Sequence, residues 1–571
     1  MRRREFLGST FAVGTFALAP GTALGAIRAV DWAPLRRAVG DRLIPVESPL
    51  LRAKQSQADA ASLFRRLKNP YWIGDEAGLT QTLGWVDAWT SRPSLMAVAA
   101  KGPQDVAEAI HFSARNHVPL VVKGGGHSYF GNSNRANSLL VWTRGLRTIE
   151  VHDAFRPRGA PAAEQIPAVS VGAGTLWGEV YRTVSRDHGR YVQGGGCLTV
   201  GTAGLVQGGG FGSFSKQFGT GAANLIEAEV VTADGRIRTV NAWQDPELFF
   251  ALRGGGGGTF GVVTRLTLRT YPLPAAFGAV MFKVTAADAP AWRALVERIL
   301  IFYRDQLHRP QWGEQIGFSP DRRLSVSMLC HSLDEAQIRS TWAPIFAWIK
   351  DQGDRLGFEQ EPLVIALEGR QLWDPDFLAK VPGITISDDR LGADRNNIFW
   401  ATNLGEVAQV LNAYQSRWIA ASWLEADRMT RLVDALIAAS KEWSVTLHTN
   451  KGLAGGSAEA LARTRETATN PDVLDAFALL ICAADAHPAY PGIPGFEPDV
   501  AKGRAEASRV RRAMAPILAL DPRAGSYVSE ADYFEPDWQR THWGPNYPRL
   551  LAAKRRYDPD GLFSGHHTVG T

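Results

Sequence analysis

His127 follows three consecutive glycines at the end of an apolar run, VVKGGGHSYFGN over residues 121–132. Strand residues that run into glycines describe a strand ending in a tight turn, because glycine reaches φ > 0 without steric cost. Successive N–H groups in such a turn form an anion-binding nest, and the missing side chains let a bulky ligand reach the main chain. A histidine held there faces whatever the turn cradles, although a hairpin turn with a solvent-facing histidine fits this stretch equally well. Cys197 stands in a similar setting within YVQGGGCLTVGTAGLVQGGGFGSFSKQFG over 191–219, and a third glycine run occupies RGGGGGTFGVVT over 253–264. Neutral imidazole and thiolate are both nucleophiles, so two of the three turns present a group able to bond an electrophile.

In this order, the three glycine segments resemble the flavin-binding domain of the berberine bridge enzyme-like oxidoreductases, within the vanillyl-alcohol oxidase superfamily. The resemblance covers about residues 91–274 and returns at the C-terminus. It implies FAD as cofactor, with His127 bonded to the flavin 8α-methyl carbon and Cys197 to flavin C6. The family usually has proline after the cysteine, where this chain has Leu198. Without such a setting, a free cysteine is most often a small buried hydrophobe. Around the histidine the resemblance marks Gly124, Gly125, Gly126, Ser128 and Gly131 as cofactor-binding. Around the cysteine it marks Gly195, Gly196, Thr199, Val200, Gly201, Gly204, Gly208, Gly209, Gly210 and Gly212. Val263, after the third run, and the C-terminal pair Asn546-Tyr547 complete the set.

The C-terminal segment is similar to a family element in which a Tyr-x-Asn-(Tyr or Glu) motif lies beside the substrate. Here it reads Tyr527-Val528-Ser529-Glu530, with serine in place of asparagine. In an extended strand residues three apart face opposite ways, so one of Tyr527 and Glu530 is expected to be the base, and the expectation falls on Tyr527. Glu530 would need a raised pKa if buried. The implied reaction sends hydride from a C–H bond of an alcohol, a sugar or another secondary metabolite to flavin N5. Dioxygen or another acceptor would then reoxidise the ring. Two rival readings come from other classes. Ser213-Phe214-Ser215-Lys216 is an S-x-x-K string, but the S-D-N and K-T-G partners of such serine hydrolases are missing from the sequence. A flavin-binding protein without turnover is the other. No H-E-x-x-H, paired C-x-x-C or G-x-x-x-x-G-K string occurs, so no metal is expected.

The elements that must position these groups are read from the rest of the chain. At 571 residues two domains are expected, and 45% hydrophobic with 21% charged residues is ordinary globular composition. The net charge of +5 gives no reason to invoke nucleic acid. Three cysteines exclude a disulfide scaffold, while leaving open whether Cys330 and Cys482 pair. Residues 1–26, MRRREFLGSTFAVGTFALAPGTALGA, combine a basic start, a short apolar run and a small-residue end, and Arg3-Arg4-Glu5-Phe6-Leu7 resembles a twin-arginine export signal. A periplasmic or extracellular destination is expected, with no stable membrane span, since the apolar run is far below the ~20 residues spanning needs.

An α+β fold is expected: a two-part FAD-binding domain over 91–274 and a substrate domain over 275–520, a sheet backed by helices. Residues 27–90 read as helical packing without chemistry, and 521–571 as a tail returning to the first domain. Within the first domain, a helix over Pro103–Asn116 and a hairpin turning at Asp234-Gly235 are expected. Beyond it, strands at 324–329 and 444–448 and helices at 291–306, 334–353 and 428–441 are expected. A C-terminal helix should run over Tyr547–Tyr557 and stop at Asp558-Pro559-Asp560-Gly561. His448-Thr449-Asn450-Lys451 reads as a surface cluster, with a flavin-facing strand end as the alternative.

Overall fold

In the computed structural model, which describes residues 30–571, the strand leading to His127 is Leu120–Lys123. The export-type segment 1–26 lies outside the described residues. Leu120–Lys123 pairs in parallel with Leu139–Trp142, which pairs in parallel with Met96–Ala99, and Leu43–Pro45 joins antiparallel at the far edge. Parallel strands need a crossover, and helix Pro103–Asn116 carries the chain from Met96–Ala99 to Leu120–Lys123. Pro103 starts that helix where no donor is missed, and His117, left-handed at φ 53°, ends it.

A second sheet runs in the order Ile237–Asn241, Leu225–Val231, Val262–Pro272, Ile166–Gly172, Ile149–Phe155, antiparallel throughout. Its hairpin turns at Gly235, whose φ is +73°. Val263 is buried in this sheet, opposite Val230. The helix Pro246–Leu252 and the C-terminal helix Tyr547–Tyr557 pack on it through Leu248, Phe249, Leu550 and Tyr557, which share one apolar core. Tyr547–Tyr557 stops where expected, because Lys554 Nζ turns inward to Asp558 at 2.6 Å and to Thr259 O at 2.8 Å. That ammonium therefore sews the tail to the third glycine run.

The third sheet is the largest. Its order is Leu356–Phe358, Ala276–Ala286, Arg323–His331, Trp312–Ser319, Val445–His448, Ala476–Ala486, Gln409–Ala420, Thr82–Trp85, Trp89–Thr90. Arg323–His331 alternates half-buried and buried residues, as a sheet with one covered face requires. Helices Ala289–Phe302, Glu335–Asp351, Ala426–Glu442 and Val500–Leu518 cover that face, contributing Trp292, Trp342, Leu436 and Val510 to one core. The architecture is α+β. Cys330 and Cys482 lie in this sheet as free buried thiols, so they do not pair. Among the described residues no helix is long and apolar enough to cross a membrane.

One expectation is corrected here. Residues 30–90 do contain short helices, such as Gln57–Arg66 and Pro70–Gly74, but they also supply strands to two sheets. Thr82–Trp85 lies parallel to Gln409–Ala420, the single parallel pairing of the large sheet. Every residue of Thr82–Trp85 is buried, so no polar alternation betrays the strand.

Several imidazoles are built in as neutral groups. Burial is the largest cause in holding His308 and His331 down to about 4 and His567 to about 3, and it depresses His542 as well. A folded pKa below the unfolded value of ~6.5 means that protons bind the unfolded chain better. This part of the stability is complete above about pH 6.5 and is lost as pH falls toward 4. Urea midpoints measured between pH 8 and 4.5 should therefore drop steeply below pH 6.5; a flat profile there would refute the neutral burial of these rings.

Candidate functional site

The glycine runs converge because their backbones touch. A Cβ on Gly125 would stand 2.7 Å from Gly201 N, and one on Gly201 would stand 2.9 Å from Gly125 N, so glycine is sterically required on both sides. The third run joins through Gly256, whose N–H bonds Gln207 O at 2.9 Å, and through Gly257, which faces Gly204. Behind the first turn, Lys123 is buried and donates to three carbonyls, Glu76 O, Ala77 O and Leu79 O, at 2.7–3.0 Å. Burial pulls its pKa down to about 7, against a smaller upward pull from the charge of Glu76. Gln81 N–H then bonds Gly126 O at 3.0 Å, which lays the N-terminal segment against the histidine turn. Sequence reasoning read no chemistry in that segment.

His127 and Cys197 line one pocket, of about 350 Å³, with Pro70, Gln81, Thr82, Tyr129, Thr199, Phe399, Asn403, Glu406, Val407 and Gln409. Thr199 ties the two nucleophiles together. His127 Nε2 lies 3.0 Å from Thr199 O, and Cys197 Sγ lies 3.4 Å from Thr199 Oγ1. A carbonyl only accepts, so Nε2 carries the proton and Nδ1 keeps its lone pair. Burial holds the imidazole down to about 4, against a smaller upward pull from Thr199 O, so the ring is neutral near pH 7. Burial, followed by the charge of Glu406, pushes the Cys197 thiol above its ordinary value.

Tyr527 and Glu530 do not line this pocket. They also do not lie on an extended strand as expected, because Glu530 N–H bonds Tyr527 O at 2.9 Å and closes a turn. The turn removes the opposite-faces argument and sends the two side chains to different partners. Tyr527 is buried against Phe211, and its hydroxyl accepts from Gly210 N–H at 3.3 Å; burial and then Glu530 push its pKa up. Glu530 is partly open to solvent and forms an ion pair with Lys451. Its charge reaches Tyr129, Tyr414 and Glu406, so Tyr129 and Glu406 connect it to the histidine pocket. The Tyr129 and Tyr414 rings stand 5.2 Å apart.

The reading of residues 448–451 as a surface cluster is corrected. Thr449 and Asn450 are buried, and Lys451 points at Glu530. Glu314, at φ 89° inside a strand, holds that turn: its carboxylate accepts from Ser213 Oγ at 2.5 Å and from Asn450 Nδ2 at 3.2 Å. Lys216 Nζ donates to Thr449 O at 2.5 Å and to Tyr303 Oη at 2.8 Å. Ser213 and Lys216 thus serve different partners, and the S-x-x-K string forms no nucleophile–base pair.

The remaining marked residues divide. Ser128, Gly131, Gly195, Gly196 and Val200 flank the two nucleophiles in sequence, and Gly208, Gly209 and Gly210 meet Tyr527 or Ser529. Gly212 presses on Gly194 O. Asn546 Nδ2 bonds Thr469 O at 3.0 Å, while Tyr547 packs on Trp538 and Trp543. Missed by sequence reasoning were Gln81, Asn403, Glu406, Gln409, Tyr414 and Glu314, none of which sits in a glycine motif.

The pocket suits a flavin. Gly196 and Gly204 face open space, while the buried Gln81 Oε1 and Asn403 Oδ1 have no partner of their own and await a ligand donor. Residues 94–241 match the model of an FAD binding domain, and 526–570 match that of berberine and berberine-like proteins. The chain is 31% identical to the FAD-linked oxidoreductase easE of Arthroderma benhamiae over 84% of its length and 90% of that protein. Among solved structures it is similar to the VAO-type flavoprotein MtVAO615 of Myceliophthora thermophila, at TM-score 0.76 and 22% identity, covering 97% of each chain. It is also similar to the glucooligosaccharide oxidase of Acremonium strictum, which carries a 6-S-cysteinyl, 8α-N1-histidyl FAD. That likeness has TM-score 0.61 and 19% identity over 84% of this chain and 92% of the other.

Proposed function

The chain belongs to the FAD-linked oxidoreductases of the vanillyl-alcohol oxidase and berberine bridge enzyme-like family, and from that premise we propose that it holds its flavin by two covalent bonds, through His127 and Cys197. The observation that carries this is the shared pocket, in which Thr199 touches both nucleophiles and His127 keeps a free Nδ1 lone pair. The N1-histidyl linkage of the Acremonium protein uses that same ring nitrogen. Residues 124–126 and 199–201 would cradle the cofactor, and Gln81 and Asn403 would meet its polar edge.

When bound, FAD supplies a two-electron acceptor for hydride from a substrate C–H bond. Glu530 takes the proton from the neighbouring O–H, in preference to Tyr527, whose hydroxyl is engaged by Gly210 and whose pKa is raised. Lys451 forms an ion pair with Glu530 and holds it in place. Tyr129 and Tyr414 offer flat walls for a substrate ring, and Phe399 with Val407 limits water at the pocket. Dioxygen is the proposed acceptor. Residues 1–26 route the protein out of the cytoplasm in this reading, which sequencing the mature N-terminus decides.

The test is a panel of alcohols, mono- and oligosaccharides and phenolic metabolites mixed with the purified protein without oxygen. At least one class should bleach the flavin absorbance, and air should restore it. A flavin that no compound bleaches would favour a binding protein without turnover.

A further inference from the structure

Glu406 is the single carboxylate among the side chains that line the pocket of His127 and Cys197. It ends the short helical turn Ala401–Glu406, directly before the long strand Gln409–Ala420. The residue preceding that turn, Trp400, donates its Nε1–H to Gly196 O at 2.9 Å. The segment bearing Glu406 is therefore fastened to the residue next to Cys197. His127, Tyr129 and Cys197 line the same pocket as Glu406, whose charge acts on Cys197 and Tyr129, while Glu530, Lys451 and Asp485 act on Glu406 in turn.

The two groups need each other chemically. Surrounding protein, followed by Glu530, pushes the Glu406 carboxyl upward, while solvent at its outer side limits that shift. An upward shift makes a carboxylate a better proton acceptor near neutral pH. Cys197 is held as the thiol by burial and by Glu406 itself, yet only a thiolate attacks. No other residue lining the pocket is an anionic base at neutral pH, and the Nδ1 lone pair of His127 is committed to its own bond.

We propose that Glu406 is the base that removes the thiol proton of Cys197 as its sulfur bonds to flavin C6, an inference that rests on the bicovalent reading above. In this step the S–H bond breaks and its proton passes to Glu406, while the sulfur pair forms the S–C6 bond and reduces the ring by two electrons. Dioxygen is the oxidant that restores the ring. It takes those two electrons with two protons, one from Glu406 and one from C6, and leaves as hydrogen peroxide. Glu406 is thereby returned as a carboxylate. The consequence is that the second tether is made by this chain's own acid–base chemistry.

The test reads the Cys197 peptide by mass spectrometry after digestion and needs no substrate. Wild type should show flavin on both the His127 and the Cys197 peptides. Purified at pH 7, Glu406→Gln should keep flavin on His127 but form the cysteine bond about 10²–10⁴-fold more slowly, leaving most Cys197 free. Aerobic incubation of that variant at pH 10, which raises the thiolate fraction without help from a base, should speed the bond markedly, and Glu406→Asp should form it at pH 7. Complete attachment in Glu406→Gln at the wild-type rate overturns the proposal. So does attachment that fails in both variants and is not rescued at pH 10, which would make Glu406 purely structural. Wild type lacking flavin on Cys197 would instead remove the bicovalent reading itself, so the two failures are distinguishable.

Discussion

Changing His127 and Cys197 together to alanine should send all of the flavin colour into the supernatant when the protein is precipitated with acid, whereas wild type should keep it in the pellet. The expectation follows from geometry and ionisation acting together. The Thr199 carbonyl fixes the proton on Nε2 of His127, and burial keeps the ring neutral, so Nδ1 is a nucleophile at any physiological pH. Cys197 approaches the same cavity from a second glycine turn, whose backbone is pressed against the first at Gly125 and Gly201. Two attachment points on one ring make each single variant instructive. His127→Ala should retain flavin through sulfur alone and Cys197→Ala through nitrogen alone. Release of flavin from denatured wild type would show that neither bond exists.

Glu530→Gln should lower the rate of flavin reduction by about 10²–10⁴-fold with a smaller change in substrate affinity, the usual cost of losing a general base. The turn at 527–530 sends its two side chains to different partners. Glu530 is partly exposed, its charge acts on Tyr129 and Tyr414, and Lys451 holds it, while Tyr527 is packed against Phe211 and bonded to Gly210. Tyr527→Phe would strip a buried N–H of its acceptor, so its main effect should be on stability, about 1–3 kcal/mol. Stopped-flow reduction and urea unfolding of both variants separate the two roles. Reduction that survives in Glu530→Gln but vanishes in Tyr527→Phe would transfer the base to the tyrosine.

The glycine motifs could be read from sequence because the reason for each glycine is local and steric. A residue that must lie 2.7 Å from another backbone has no alternative side chain, so the requirement is written into the residue type. His127 and Cys197 were found on the strength of those neighbours. Glu406, Gln81 and Gln409 were not, because their function comes from distant segments meeting in one pocket, and a glutamate in a polar stretch looks like any solvated residue. The helices Pro103–Asn116 and Tyr547–Tyr557 were plain from proline and acidic stop signals. Thr82–Trp85 was hidden by its length of four residues and its burial on both faces. The turn at Tyr527–Glu530 was misread as extended because Val528-Ser529 carries no glycine or proline to mark a reversal.

The parallel pairing of Thr82–Trp85 with Gln409–Ala420 also sets a timetable for biosynthesis. A ribosome adding about 5–20 residues per second needs roughly 15–65 s to travel from one partner to the other. For that interval Leu83 and Trp85, both buried in the finished molecule, have only the two-residue strand Trp89–Thr90 beside them and must be shielded by chaperones or by transient collapse. Contacts so remote in sequence also slow spontaneous refolding. A shortened chain ending before Gln409 would leave the amino-terminal arm permanently sticky, so nascent fragments of this length are natural clients of the cell's quality-control machinery.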